Sequence, residues 1–185
     1  MTWKRNDIMD SLFNRYALGL FSIALEENKV QEYKNSLKMI KSVILNDADF
    51  IHLLSSCFLT QEEKDKVIDE VFNNEDKYVL NFIKVIVKNK RVNLLRGIFD
   101  EFNEMCNDYL GIKEGIIYST YLLELDKVEK LEKTFKKVFG VEVELTNHVD
   151  EKLIGGIKVI IEDQVFDGTI ISKLNSLKQS LIGGK

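Results

Sequence analysis

The stretch LIGGIKVIIEDQVFDGTII, residues 153–171, decides the fold of the carboxyl-terminal part of this chain. Behind a pair of glycines, apolar residues alternate at Ile157, Val159 and Ile161, as they do in a half-buried strand. The acidic pair at 162–163 marks a tight turn into a second short strand. The stretch therefore predicts a β-hairpin that leads into a helix. The apolar stripe of that helix consists of Ile170, Leu174, Leu177 and Leu181.

A strand, a helix and another strand are predicted just before the hairpin. Residues 113–121 are rich in β-branched and aromatic side chains, and residues 141–145 alternate apolar and acidic. Between them, Asp126 and Glu129 have the spacing of a capping box at the start of a helix, and Gly140 stands where that helix is expected to end.

The first hundred residues have a helical period. The chain contains no proline, so little there interrupts a helix. Thr60 and Glu63 form a capping box ahead of a fourth helix, and residues 79–87 are apolar on nearly all sides. Six helices are predicted, with apolar positions that begin at Leu12, Val30, Phe50, Val67, Val79 and Leu95.

The period changes from helical to strand-like near Gly111. We therefore expect a mainly α fold in which an amino-terminal six-helix bundle, residues 1–111, is followed by a small α/β domain, residues 112–185.

Composition excludes several functional classes. The 185 residues carry a net charge of −4 and a pI near 5.4, without the basic patch that nucleic-acid binding normally needs. No apolar run approaches the roughly 18 residues of a membrane span, and the first ten residues do not resemble a signal peptide. Cys57 and Cys106 have apolar neighbours, which predicts two buried thiols.

Residues for catalysis are not grouped in the sequence. His52 and His148 fall in different predicted domains, and His148 beside Asp150 has no accompanying nucleophile. The Gly155-Gly156 pair lacks the spacing of a phosphate-binding loop, and a strand follows it rather than a helix. We therefore expect no catalytic residue, cofactor or metal. The structural motif Gly155, Gly156, Asp167, Gly168 and Thr169 is expected to serve turn geometry and helix capping.

Residues 153–181 resemble the delta subunit of bacterial F-type ATP synthases, a relative of the mitochondrial oligomycin-sensitivity-conferring protein. The resemblance lies in the glycine pair entering a strand, the Asp-Gly-Thr step and the leucine-striped final helix. It extends to RYALGLF at 15–21, to NFI at 81–83 with NKR at 89–91, and to Val149-Asp150. Three features depart from the family: Cys57-Phe58-Leu59 where a proline is frequent, Glu162 where glycine is frequent, and Thr169 in place of serine.

The resemblance implies a non-catalytic stator subunit that couples rotation to ATP synthesis and ion translocation. Its amino-terminal bundle would bind the amino-terminal helix of the alpha subunit, and its carboxyl-terminal part the b subunit of the peripheral stalk. The protein would then lie at the cytoplasmic face of the cell membrane, attached only through the complex. Groove residues expected between the first and fifth helices are Tyr16, Gly19, Leu20, Ile23, Phe82, Val85, Ile86 and Asn89.

Two other interpretations of the sequence are kept. One is a small nucleotide-binding enzyme that uses the Gly155-Gly156 turn, and the other is a generic helical scaffold protein. An ordinary bundle core also explains most of the expected groove residues.

Overall fold

A computed structural model describes residues 3–172 and residue 174 of the chain, with side chains from Leu12 onward. The chain divides into two compact units, Met1–Leu110 and Gly111–Lys185. The protein is mainly helical, with one small four-stranded sheet near its carboxyl-terminal end.

The first unit is built from helices. A short 3-10 turn, Val92–Leu94, precedes the last of them. The α-helices described in this unit are α1 (Trp3–Glu26), α2 (Val30–Asn46), α3 (Ala48–Ser55), α4 (Gln61–Val71), α5 (Lys77–Lys88) and α6 (Leu95–Leu110).

The core of the first unit lies where α1 and α2 pack against α6, and α5 packs in turn against α1 and α2. Phe99 and Phe102 of α6 are buried against Leu20 of α1 and Ile40 of α2 within one apolar cluster. The ring of Phe21 meets Phe102 edge to face at 6.4 Å between centroids. Because these side chains recur every three or four residues, one stripe of each helix is removed from water, and this burial supplies most of the stability of the unit.

Two predictions for the first unit need correction. Helix α1 is as predicted, and it extends back to Trp3, ahead of the apolar positions that begin at Leu12, because no glycine or proline stops helix propagation there. The 3-10 turn makes the unit more than a simple six-helix bundle. Cys106 is buried as predicted, but Cys57 is exposed, because it lies in the irregular loop between α3 and α4 rather than on an apolar helix face.

The capping box predicted at the start of α4 is confirmed. The Thr60 hydroxyl accepts from the Glu63 backbone N–H at 3.3 Å, and a Glu63 carboxylate oxygen accepts from the Thr60 N–H at 2.8 Å. Two backbone donors that the helix leaves unpaired are thereby satisfied.

The second unit packs one helix against a sheet. The strands have the order β2-β1-β3-β4, with β1 and β2 parallel and the other two pairs antiparallel. The helix α7 connects the two parallel strands, which need a crossover of this kind. The elements are β1 (Ile112–Ser119), α7 (Leu125–Phe139), β2 (Glu142–Val149), β3 (Ile157–Ile161) and β4 (Gln164–Asp167).

Strand alternation divides the sheet into two faces. Ile117, Val159 and Ile161 are buried on the face that α7 covers, where Phe135 packs against Phe166 with 4.8 Å between ring centroids. On the opposite face, Ile116 pairs with Ile160 and Ile160 pairs with Val165 across three strands. The predicted hairpin is therefore confirmed.

The start of α7 differs from the prediction. The cap residue is Glu124, which makes no side-chain capping bond, so Asp126 and Glu129 do not form a capping box. A contact distant in sequence sets this start, since the Leu123 N–H donates to Asn147 Oδ1 at 2.7 Å. The end is as predicted, because Gly140 adopts a left-handed conformation with φ of +73°.

The glycine pair and the Asp-Gly-Thr step lie side by side. The Gly168 N–H donates to the Ile157 carbonyl at 2.9 Å, and the Ile170 N–H donates to the Gly155 carbonyl at 3.0 Å. A Cβ on Gly156, whose φ is +82°, would lie 2.4 Å from the Gly168 carbonyl oxygen. The two segments of the motif are therefore fixed by close backbone contact.

Thr169 caps the helical turn that follows. Its hydroxyl accepts from the Ser172 N–H at 3.2 Å, and Asp167 accepts from the Thr169 N–H at 2.9 Å. Residues 170–172 and 174 are helical. Leu177 and Leu181 of the predicted stripe lie outside the described residues.

We expect Gly156→Ala to destabilise the second unit by clearly more than Gly140→Ala. Both positions have positive φ, for which an alanine costs roughly 1–2 kcal/mol. A Cβ on Gly156 would also lie too close to the backbone atoms of residues 168–169, whereas a Cβ on Gly140 meets nothing within 4 Å. Urea unfolding followed by circular dichroism measures both variants, and equal losses would contradict the packing role of Gly156.

Candidate functional site

Helix α5 is joined at its start to the α1–α2 connection and at its end to α1, and it runs antiparallel to α1. At one end, Lys29 just beyond α1 binds Asp76, the cap residue of α5, with 3.0 Å between Nζ and Oδ2. At the other end, the Asn89 side chain just beyond α5 donates to the Tyr16 hydroxyl at 3.1 Å. From Asp76 to Asn89 the helix spans roughly 20 Å, the length of about thirteen helical residues.

The Asp76 carboxylate gathers three donors. Besides Lys29, it accepts from the Tyr33 hydroxyl at 3.2 Å and from the Tyr78 backbone N–H at 2.9 Å. Desolvation alone would raise the pKa of Asp76, but these hydrogen bonds and the Lys29 charge outweigh it and hold the pKa below its usual value. Burial, reinforced by the neighbouring carboxylate, raises the pKa of Tyr33, which therefore stays a neutral donor.

The Tyr16 end is polar and cationic. The Tyr16 hydroxyl also accepts from Arg91 Nη1 at 2.6 Å, and the Arg91 guanidinium lies 5.4 Å from the centre of the Tyr16 ring. The two donors to one hydroxyl and the stacked cation hold the ring in place.

Between these two ends, both helices present partly apolar residues to the surface. On α1 these are Gly19, which is exposed, and Ile23, which is half-buried. On α5 they are Phe82, which is half-buried, and Val85, which is 47% exposed. We call the surface formed by Tyr16, Gly19, Ile23, Phe82, Val85 and Asn89 the α1–α5 groove.

The other two expected groove residues lie beneath this surface. Leu20 is 1% exposed and Ile86 is 0% exposed, and both belong to the apolar core of the first unit. They support the groove from below and leave no area for an external partner. A Cβ on Gly19 would meet nothing within 4 Å, so the space above this glycine is open.

Two residues missing from the sequence-based set belong to the same surface. Tyr78 lies four residues before Phe82 on the same side of α5, and it is half-buried. Helical spacing alone could have found it. Arg91 lies beyond the end of α5, so helical periodicity carried no signal for it, and only its contact with Tyr16 identifies it.

The described residues do not gather the ligands of a metal site. Within residues 3–172 and 174, no three His, Cys, Asp or Glu side chains are placed to hold a metal ion. The glycine pair contacts the backbone of residues 168–170 and precedes a strand. The arrangement suits recognition of an apolar helix edged by polar groups.

Comparison with known families identifies relatives over nearly the whole chain. The family described as ATP synthase delta (OSCP) subunit matches residues 12–181. The ATP synthase subunit delta of Bacillus cytotoxicus is 30% identical over 169 residues, which cover 91% of this chain and 94% of that protein. The corresponding subunit of Mesomycoplasma hyopneumoniae is 32% identical over 167 residues, covering 90% and 89%.

The fold also matches a solved structure. A chain of the Toxoplasma gondii mitochondrial ATP synthase hexamer aligns with a TM-score of 0.66 at 18% identity, covering 92% of this chain and 97% of that one. At this identity the match concerns the fold alone.

We expect Asp76→Asn to destabilise the protein at pH 7 by about 1 kcal/mol, because an amide keeps the shape of the cap but loses the charge-assisted bonds. The folded-state pKa of Asp76 is lowered, so its contribution is present above the unfolded-state value and is lost as pH falls through the folded one. Urea unfolding at pH 7 and near pH 3 should show the difference between the two proteins shrinking. A difference that is constant with pH would argue against the role of the carboxylate charge.

Proposed function

Because the chain belongs to the ATP synthase delta (OSCP) subunit family, we propose that its two units hold two different subunits of that enzyme. The protein is a non-catalytic stator subunit of the F-type ATP synthase. Family membership replaces the two alternatives of a small nucleotide-binding enzyme and a generic scaffold. The proposed partners are the amino-terminal helix of the alpha subunit and the b subunit of the peripheral stalk.

The α1–α5 groove supports the first partner. It is about as long as thirteen helical residues and carries apolar area at Ile23, Phe82 and Val85 between two polar ends. An amphipathic helix buries its apolar face in such a groove, and spacings of three, four and seven residues bring its side chains onto one line. The observation that carries the proposal is that an exposed valine, Val85, and a half-buried phenylalanine, Phe82, lie on a helix that polar contacts hold at both of its ends.

The face of the sheet opposite α7 supports the second partner. The row Ile116, Ile160 and Val165 crosses three strands, and Val165 is 56% exposed while Ile116 is 36% exposed. Apolar side chains in adjacent register form a continuous patch, which is the usual mark of an interaction surface. We assign this patch to the b subunit.

Attachment through these partners also accounts for localisation. Among the residues that the structure describes, no helix is both long and apolar enough to cross a membrane. We propose that the protein reaches the cytoplasmic face of the cell membrane through its place in the synthase complex.

Val85→Asp is expected to weaken binding of a peptide from the alpha-subunit amino terminus by at least about tenfold, because it places a charge in the apolar part of the groove. Val71→Asp is the matched control, since Val71 is 48% exposed and also lies in the last turn of its helix, but outside the groove. Isothermal titration calorimetry measures both. Equal affinities for the two variants would exclude this groove.

Val165→Asp is expected to lower affinity for the soluble part of the b subunit by a similar factor, while binding of the alpha-subunit peptide stays unchanged. Val138→Asp serves as the control, because Val138 is 62% exposed on α7, in the layer opposite the patch. Pull-down with each partner separately reads out the result. Loss of both partners with Val165→Asp, or of neither, would refute the assignment of two surfaces.

A further inference from the structure

The Tyr16 hydroxyl has a hydrogen-bond donor that the described residues leave unused. A hydroxyl can accept two hydrogen bonds and donate one. Tyr16 accepts from Asn89 Nδ2 at 3.1 Å and from Arg91 Nη1 at 2.6 Å, so both of its lone pairs are engaged. No described residue accepts the hydrogen of this hydroxyl. Because Tyr16 is only half-buried, at one end of the α1–α5 groove, the hydrogen can be donated to a molecule lying in that groove.

Arg91 supplies further donors at the same place. Its guanidinium has several N–H groups, and the contact with Tyr16 uses one of them. The side chain is half-buried, and within the described part of the chain no carboxylate forms an ion pair with it. A phenol and a guanidinium therefore present donors side by side, with 2.6 Å between the bonded oxygen and nitrogen.

The charge at this end of the groove favours an anion. Arg15 and Lys88, each one residue before a groove residue, are exposed and form no ion pair with a described residue. At the other end of the groove, Lys29 is paired with Asp76. Positive charge is thus left without a counter-charge at one end and is balanced at the other. A carboxylate suits the first end, because its oxygens accept several hydrogen bonds at once and bind a guanidinium in a defined geometry.

We propose that Tyr16 and Arg91 form a carboxylate-binding site, which takes the side chain of one aspartate or glutamate of the partner helix. The site rests on the proposed function, since it lies in the groove assigned to the alpha-subunit helix. Burial of apolar area holds that helix, and the bound carboxylate determines its position along the groove.

The site also sets the direction of the partner helix. Val85 and Phe82 lie four and seven residues before Asn89, which corresponds to roughly 6 Å and 10.5 Å along α5. A partner helix lying along α5 should therefore carry its acid about four residues from the side chain that contacts Val85, and about seven from the one that contacts Phe82. The reversed helix would place the same acid near the Asp76 carboxylate, whose like charge repels it.

Calorimetry with the full chain and a peptide from the alpha-subunit amino terminus tests the site. Each acidic residue of the peptide is replaced in turn by its amide. We expect one replacement to weaken binding by about tenfold, the loss of one charge-assisted hydrogen bond. With Arg91→Met, the same replacement should change affinity less than about twofold, because the group that binds the acid is gone. Arg96→Met is the matched control and should keep the full difference, since Arg96 is exposed on α6, which contributes no residue to the groove.

Tyr16→Phe tests the second donor. The variant keeps the ring beside Arg91 and removes the hydroxyl, so we expect it to weaken binding of the acidic peptide at least about threefold and binding of the amide peptide clearly less. Arg91→Lys keeps the charge but loses the planar group, and its affinity should lie between those of the unmodified chain and Arg91→Met. Equal losses for both peptides in Tyr16→Phe would overturn the role of the hydroxyl.

The direction of the helix has a separate readout. A nitroxide attached to the peptide end nearer the acid should broaden the amide resonances of Asn89 and Lys90 more than that of Lys29 in the isotope-labelled chain. Stronger broadening at Lys29 would overturn the assigned direction. If the peptide does not bind the unmodified chain, the proposed function fails together with the site. If it binds but no amide replacement weakens it, or the loss persists in Arg91→Met, the site alone is rejected.

Discussion

The Asp76 carboxylate fixes the arrangement on which the first unit depends. It caps the start of α5 by accepting the Tyr78 N–H, and it binds Lys29, the residue before α2, and Tyr33 of α2. One side chain thus joins the start of α5 to the start of α2. Because Tyr33 is 1% exposed, this polar cluster is anchored in the apolar core rather than added to its surface.

The second unit is organised by contacts between backbones. Gly156 and Gly168 approach so closely that a side chain on Gly156 cannot be accommodated, and the two hydrogen bonds beside them close the start of β3 against the end of β4. In the sequence, Gly155 and Gly156 were considered as a possible phosphate-binding loop. In the structure the backbone of residues 168–169 lies directly against Gly156, which is a packing role for this glycine.

Local features of the sequence predicted most helices and all four strands, because the apolar periodicity of a helix or a strand depends only on residues a few positions apart. The box at Thr60 and Glu63 and the cap at Gly140 follow from such local rules. The errors arose where a distant residue decides the outcome. Asn147 contacts the entry to α7, and an apolar sequence around Cys57 predicted burial although this loop position is exposed in the structure. For the expected groove, helical spacing places Phe82 and Asn89 on one side of α5. It could not distinguish the buried Leu20 and Ile86 from their accessible neighbours, because one side of a helix contains both buried and exposed residues.

The two ties between α1 and α5 have a mechanical consequence. A partner helix lying lengthwise between them is loaded in shear when torque pulls along its axis, so the contacts along the groove share the force at the same time. A helix held only at one end would lose its contacts one after another, under a smaller force than a helix held along its whole length. Because Lys29 with Asp76 and Tyr16 with Asn89 join the two walls, a groove holding the proposed partner helix would resist widening under force, and its contacts would then fail together.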